Sequence, residues 1–184
     1  MKDFHRDHLQ VSQCGLNCLL CPMKLGNYCP GCGGGEGNQS CSIARCALER
    51  GIGEFCTQCG RFPCERYEKM GEYDSFLPHS RMVRDLERLE ELGPEAYITQ
   101  LEERRDILDR LLAGWNDGRR KSFYSLAAYL LELDSLRRAF DQIQRALPEE
   151  ASVKEKASTA VDILKKTAEA DGVILKLNKK PKEK

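Results

Sequence analysis

The sequence has no long apolar run. No stretch of the 184 residues approaches the ~20 consecutive apolar residues that a membrane-spanning helix needs. The first ten residues, MKDFHRDHLQ, carry charges of both signs, and no apolar segment follows them. We therefore expect no secretory signal and no membrane span, and the sequence predicts a cytoplasmic protein whose thiols stay reduced.

Net charge is also absent. Lysine plus arginine number 29, and aspartate plus glutamate number 29. A protein that binds nucleic acid through its phosphates carries a basic face or stripe, whereas each part of this chain is close to neutral. The charge balance argues against a nucleic-acid partner.

Signatures of catalysis are missing too. The glycine-rich stretch GGGEG, residues 33–37, is not followed by lysine and serine or threonine, so it is not a phosphate-binding loop. We find no serine or cysteine nucleophile with histidine partners, and no general acid–base pair. The three histidines, His5, His8 and His79, lie outside the cysteine-rich segment, and we expect each of them at the surface. The sequence leaves open whether the protein is an enzyme.

The cysteine-rich segment is poor in large apolar residues. All ten cysteines lie between Cys14 and Cys64, together with most of the glycines. Such a segment cannot bury enough apolar surface to fold alone, so cross-links must supply the difference. In a reducing compartment these cross-links are metal ions, and disulfides are the alternative if the protein is exported.

The spacing of the cysteines is typical of thiolate metal sites. CPGCG, residues 29–33, and CTQCG, residues 56–60, are both C-x-x-C pairs followed by glycine. This spacing lets two sulfurs face one ion, and a glycine at positive φ lets backbone N–H groups point at the first sulfur. We predict that all ten cysteines are metal ligands: Cys14, Cys18, Cys21, Cys29, Cys32, Cys41, Cys46, Cys56, Cys59 and Cys64.

Spacing alone leaves the ligand sets open. The two C-x-x-C turns predict either one shared four-thiolate ion or two separate sites, each completed by flanking cysteines. Ten cysteines exceed the number that two four-cysteine sites need, which leaves free cysteines, bridging sulfurs or an iron–sulfur cluster as alternatives. We expect structural zinc, with two ions per chain. A [4Fe-4S] cluster is the alternative, because thiolates bind both metals.

The first group, CGLNCLLC at residues 14–21, has the C-x3-C-x2-C spacing with which radical S-adenosylmethionine enzymes hold three irons of a cluster. Those enzymes build a barrel from repeated strands and helices, whereas residues 65–184 have an almost wholly helical pattern. We therefore do not predict such an enzyme. An open cluster with a redox or small-molecule-binding role stays as the alternative function.

Cys64 differs from the other cysteines in its predicted position at the start of a helix. It follows Pro63 at the start of a helical pattern, where the helix dipole favours a thiolate. We interpret it as a metal ligand, with a reactive thiol as the alternative.

The whole cysteine-rich segment resembles the family catalogued as domain of unknown function 3795. The resemblance is carried by CGLNCLLCP, CPGCG and CSIARCALERGIGEFCTQCGRFPCERY, in that order, and it covers residues 12–70 well and 71–147 loosely. It implies a zinc-binding domain with no assigned activity. In the downstream GRRKSFYSLAAYLL the resemblance implies a cysteine where this chain has Ser125, so a metal or redox role does not carry over there.

Beyond residue 75, apolar residues recur at helical spacing, and Gly93-Pro94 separates the first two helices. The predicted fold is a small, irregular, metal-stabilised cysteine-rich module followed by an α-helical bundle. We predict a metal-binding domain at 1–75, a helical bundle at 76–147, and an additional helix with a frayed basic tail at 148–184. That last helix has a thin apolar face, so we expect it to pack on the bundle edge or to meet a partner.

These observations predict a cytoplasmic metal-binding protein. The zinc sites are expected to be closed and structural, and the helical part is expected to present a surface to a protein partner. An iron–sulfur protein is the alternative from a different functional class.

Overall fold

The computed structural model describes residues 3–36 and 41–181. These residues are mostly helical, and their β-structure is limited to one isolated antiparallel bridge between His5 and Gly34. The prediction of a largely helical chain is confirmed. The α-helices are α1 (Pro22–Leu25), α2 (Ser42–Glu49), α3 (Glu65–Gly71), α4 (Met82–Leu92), α5 (Pro94–Gly114), α6 (Lys121–Leu130), α7 (Leu133–Ala146) and α8 (Val153–Ala170). Short 3₁₀ turns lie at Cys18–Leu20 and Cys56–Gln58.

The ends of the long helices follow from local sequence. Gly93 has a φ of 80° and ends α4, and Pro94 begins α5, a position that proline tolerates because it needs no amide donor. Ser152 caps α8: its side chain accepts a hydrogen bond from the Glu155 N–H, and the Glu155 carboxylate accepts one from the Ser152 N–H. The Gly93-Pro94 boundary lies where the sequence predicts it.

The chain divides into two compact units that differ from the predicted division at 1–75, 76–147 and 148–184. One unit is Met1–Leu101 together with Leu177–Lys184, and the other is Glu102–Lys176. The difference arises because α4 packs against the turn Cys56–Gln58 in the cysteine-rich segment. The Leu86 and Leu89 side chains of α4 are almost completely inaccessible to solvent. The cysteine-rich segment thus shares its core with α4 and the start of α5.

Gly15 shows how close this packing is. It has a φ of 94°, and a Cβ at this position would lie 2.3 Å from the Met82 carbonyl oxygen and 2.8 Å from the Leu86 Cγ. Only glycine allows this approach. The backbone that carries the first cysteines therefore runs directly against α4.

Residues 177–181 belong to the first unit. The Asn178 N–H donates to Asp74 Oδ2 over 2.7 Å, and the Asp74 N–H donates to the Asn178 carbonyl over 2.8 Å. The predicted frayed tail is thus hydrogen-bonded over these residues, because Asp74 provides both a donor and an acceptor. Residues 182–184 lie outside the described residues.

In the second unit, α7 packs against both α6 and α8. The predicted additional helix thus packs on its neighbour through Ala157, Ala160 and Leu164, all of them inaccessible to solvent. Ser125, where the resemblance implies a cysteine, is fully buried on α6, and its Oγ has no hydrogen-bond partner among the described residues. Throughout the part of the chain that is described, no helix combines the length and the apolar character needed to cross a membrane.

Candidate metal centre

All ten cysteines fall within the described residues, and all of them are free thiols. Cys14 is buried, and the others are partly exposed. Their surroundings place eight of them in two groups.

Four cysteines from three elements line one cavity. Cys46 lies on α2, Cys56 and Cys59 bound the second 3₁₀ turn, and Cys64 immediately precedes α3. We call these four the late group. The cavity has a volume of about 30 Å³. That volume accommodates an ion or a water molecule and excludes an organic ligand.

Tyr67, on α3, lines the same cavity. Its hydroxyl is buried without a well-oriented hydrogen-bond partner and lies beside the Cys56 sulfur. Burial raises the pKa of Cys56 to about 11; the Tyr67 hydroxyl opposes this shift, and the other late-group thiols add to it. A buried hydroxyl without a partner destabilises the fold, and a thiolate at Cys56 would accept its hydrogen bond.

A second set of neighbouring thiols comes from earlier in the chain. We call it the early group: Cys14, Cys18, Cys32 and Cys41. Each sulfur faces one backbone N–H, and the donors are Leu16, Cys32, Gln13 and Ala44 respectively. Burial raises the pKa of Cys14 and of Cys18 to about 12 despite these donors. Hydrogen bonds from N–H to sulfur stabilise thiolates and orient them as metal ligands.

Arg6 is a buried cation beside the early group. Its side chain is 1% exposed, its Nη1 donates to the Cys32 carbonyl over 3.0 Å, and its Nε donates to the Glu54 carbonyl over 2.9 Å. Its Nη2 has no hydrogen-bond partner within the described part of the chain, and it forms an ion pair of 3.7 Å with Glu54 Oε2. Burial raises the pKa of Cys32, whereas the Gln13 N–H and the charge of Arg6 lower it. A thiolate at Cys32 would neutralise this buried charge further.

The C-x-x-C turns differ from the prediction in their details. Gly33 has a φ of 89°, as predicted, whereas Gly60 does not have a positive φ. The donor found at the first turn is the Gln13 N–H, and it points at Cys32, the second sulfur, instead of at Cys29. The reason is that this donor comes from a distant part of the chain, which local spacing does not reveal.

Not all of the predicted ligands are brought together. Cys21 caps α1 and lies beside Cys18, and neither Cys21 nor Cys29 lines the late-group cavity. Over residues 3–36 and 41–181, no three histidine, cysteine, aspartate or glutamate side chains are already arranged around one point as metal ligands are. The sulfurs of each group would therefore have to move closer together to bind a common ion.

The histidines contact other groups. His5 is exposed, as predicted. His8 and His79 are half-buried: the His8 Nδ1 lies 3.2 Å from Glu54 Oε2, and the His79 Nδ1 lies 2.7 Å from the Met70 carbonyl oxygen. Their hydrogen bonds to nearby groups account for this burial.

Sequence reasoning missed Arg6 and Tyr67. Arg6 precedes the cysteine-rich segment and is surrounded in sequence by other charged residues, so no local pattern distinguishes it. Tyr67 follows Cys64 by three residues at the start of a helix, which places the two on the same side of α3 and is a usable signal.

Comparisons with known proteins add no further assignment. No family model matches the chain, and no curated protein and no solved structure matches it. The resemblance to the domain of unknown function 3795 family stays a prediction.

Proposed function

We propose that the protein binds metal ions through its cysteines, and that these ions hold the first unit in its fold. The ion is zinc, with two ions per chain, and the sites are closed and structural. Thiolate coordination of this kind contributes roughly 10–16 kcal/mol, which would add to the small apolar core that the cysteine-rich segment shares with α4.

One observation carries the proposal. Two buried polar groups, the Tyr67 hydroxyl and the Arg6 Nη2, have no well-oriented hydrogen-bond acceptor among the described residues. The Tyr67 hydroxyl lies beside the Cys56 sulfur, and the Arg6 side chain lies beside Cys32. Protonated thiols are weak acceptors, whereas thiolates are strong ones. The donor set therefore fits cysteines that are deprotonated, and a bound cation provides the charge that makes buried thiolates stable.

The second candidate is an iron–sulfur cluster with a redox or small-molecule-binding role. The position of Cys21 favours it, because Cys21 lies beside Cys18 and puts a fifth sulfur near the early group. The sulfur-only donor set suits either metal.

Metal and sulfide content separates the two candidates. Protein purified without oxygen is expected to be colourless and to contain two zinc ions per chain. A brown protein containing iron and acid-labile sulfide would replace the first candidate with the second. An ordered first unit in protein without any metal would contradict both.

We further propose that the protein is cytoplasmic and that its helical unit binds another protein. Support comes from a groove of about 470 Å³ lined by Phe123 on α6 and by residues at the end of α8, with Ile174 at its edge 78% exposed. An exposed apolar side chain beside a groove is typical of a docking surface.

A photoreactive residue at position 174 tests the partner proposal in cells that make the protein. We expect one cross-linked partner from position 174 and none from position 153, since Val153 is 57% exposed at the opposite end of α8. Equal cross-linking from both positions would contradict a specific surface.

A further inference from the structure

We infer that the metal ions occupy two separate sites. One site is formed by the early group, Cys14, Cys18, Cys32 and Cys41, and the other by the late group, Cys46, Cys56, Cys59 and Cys64. The remaining two cysteines, Cys21 and Cys29, bind neither ion. This inference rests on the proposed function, because it states which thiols hold each ion.

The late group is defined by its shared cavity. All four of its sulfur-bearing residues line the same small space, and none of the early-group cysteines lines it. Cys46, Cys59 and Cys64 each lie close enough to Cys56 to affect its ionisation. Four thiolates around one ion complete a closed tetrahedral site.

The early group is defined by the hydrogen bonds that its sulfurs accept and by the cysteines that lie near one another. The Cys32 N–H points at the Cys18 sulfur, and the Ser12 hydroxyl lies 3.1 Å from the Cys14 sulfur. Cys41 lies near both Cys14 and Cys32, whereas Cys21 lies near Cys18. The Cys41 sulfur is also held at the start of α2 by a hydrogen bond of 3.2 Å from the Ala44 N–H. We assign Cys41 as the fourth ligand on these two grounds.

Helix α2 keeps the two sites apart. Cys41 is its N-cap, with a sulfur that accepts a hydrogen bond from the Ala44 N–H over 3.2 Å, and Cys46 is in its interior. Positions five residues apart on a helix are rotated by about 140° and displaced by roughly 7 Å along the axis. Sulfurs bound to one zinc ion are only about 4 Å apart. Cys41 and Cys46 therefore belong to different ions as long as α2 stays helical.

Gln13 connects the two groups without merging them. Its N–H points at the Cys32 sulfur, and its carbonyl accepts a hydrogen bond of 3.2 Å from the Cys56 N–H. The sites are adjacent through this single residue. Two pairs of cysteines that are close in sequence therefore do not share an ion. These pairs are Cys41 with Cys46 and Cys29 with Cys32.

Cadmium-113 substitution tests the assignment on the unmodified chain. Cadmium prefers thiolates as zinc does, and a cadmium–proton correlation spectrum connects each ion to the β-protons of its own ligands. We expect two cadmium signals, one correlated with the early group and the other with the late group. A signal correlated with both Cys41 and Cys46, or with Cys29, would overturn the assignment.

Double variants give a second readout as zinc ions per chain, counted by native mass spectrometry. We expect about one ion in C46S/C59S and none in C41S/C46S, because the first change affects one site and the second affects both. The matched control C21S/C29S should keep both ions. Loss of an ion in this control, or retention of one in C41S/C46S, would overturn the assignment.

The two tests also separate the inference from the function on which it rests. Unmodified protein that binds neither zinc nor cadmium contradicts the proposed function and the assignment together. Unmodified protein that binds two ions with a different correlation pattern contradicts the assignment alone.

Discussion

The Tyr97 hydroxyl donates a hydrogen bond of 3.1 Å to the Asn17 Oδ1, although 80 residues separate the two in sequence. The Asn17 Nδ2 donates in turn to Asp85 Oδ2 over 3.2 Å, and all three side chains are buried. Asn17 immediately precedes Cys18, so this network ties the first cysteines to α4 and α5. Loss of metal is therefore expected to unfold the chain as far as residue 101.

The substitution Tyr97→Phe tests this network. It leaves the buried Asn17 Oδ1 without its donor, and we expect the free energy of unfolding of the first unit to fall by about 1–3 kcal/mol. Urea unfolding of the metal-loaded protein measures the change. Tyr28→Phe is the control, because Tyr28 is 75% exposed and its substitution should have no such effect. Equal stabilities of the two variants would contradict the role of Tyr97.

Gly33→Ala and Gly35→Ala separate steric contact from backbone strain. Both glycines have positive φ, 89° and 110°, so alanine costs about 1–2 kcal/mol at each position. A Cβ at Gly33 would also lie 2.7 Å from the Arg6 Cγ, whereas one at Gly35 would have no neighbour within 4 Å among the residues that the structure describes. We expect the larger loss of stability in Gly33→Ala by urea unfolding. Equal losses would show that Arg6 does not constrain this turn.

Tyr67→Phe removes the hydroxyl beside Cys56. Groups that hydrogen-bond to ligands affect metal affinity about 10–100-fold, so we expect a weakening of this size at one site and no change at the other. Competition with a calibrated chelator measures both affinities. Tyr28→Phe again serves as the control. Unchanged affinity in Tyr67→Phe would mean that the hydroxyl does not stabilise a thiolate.

Glu103 gives the second unit a weak dependence on pH. Arg137 donates two hydrogen bonds to its carboxylate, and these lower the pKa of Glu103 below 4.5. A lowered pKa in the folded state stabilises the fold above pH 4.5, and this contribution is lost as the pH falls through the lowered pKa. Glu103→Gln should therefore lower the melting temperature slightly at pH 7, and this difference should shrink as the pH falls below 4.5. Because the pair is exposed, the effect is small. A difference that kept the same size as the pH fell would contradict this assignment.

The helices were predictable because their signals are local. Leu86 and Leu89 recur at helical spacing, and Gly93-Pro94 separates α4 from α5 within two residues. The burial of Asp85 on the same helix was not predictable. It depends on Asn17, whose position 68 residues away no periodicity reveals.

The candidate ligands were predictable by residue type but not by grouping. Cys41 and Cys46 have a C-x4-C spacing that suggests a shared ion. Their assignment to different ions depends on the start of α2 at Ser42, which the cysteine spacing does not reveal. Arg6 reaches the early group from outside the cysteine-rich segment, so its role depends on the tertiary fold.

Hydrogen exchange of the full chain, before and after complete removal of metal by a strong chelator, tests the central claim most directly. Thiolate-bound ions that hold the first unit together predict that amides up to residue 101, including those of α4, lose protection, while amides of residues 102–176 keep theirs. Full protection of the cysteine-rich segment in demonstrably metal-free protein would contradict the claim.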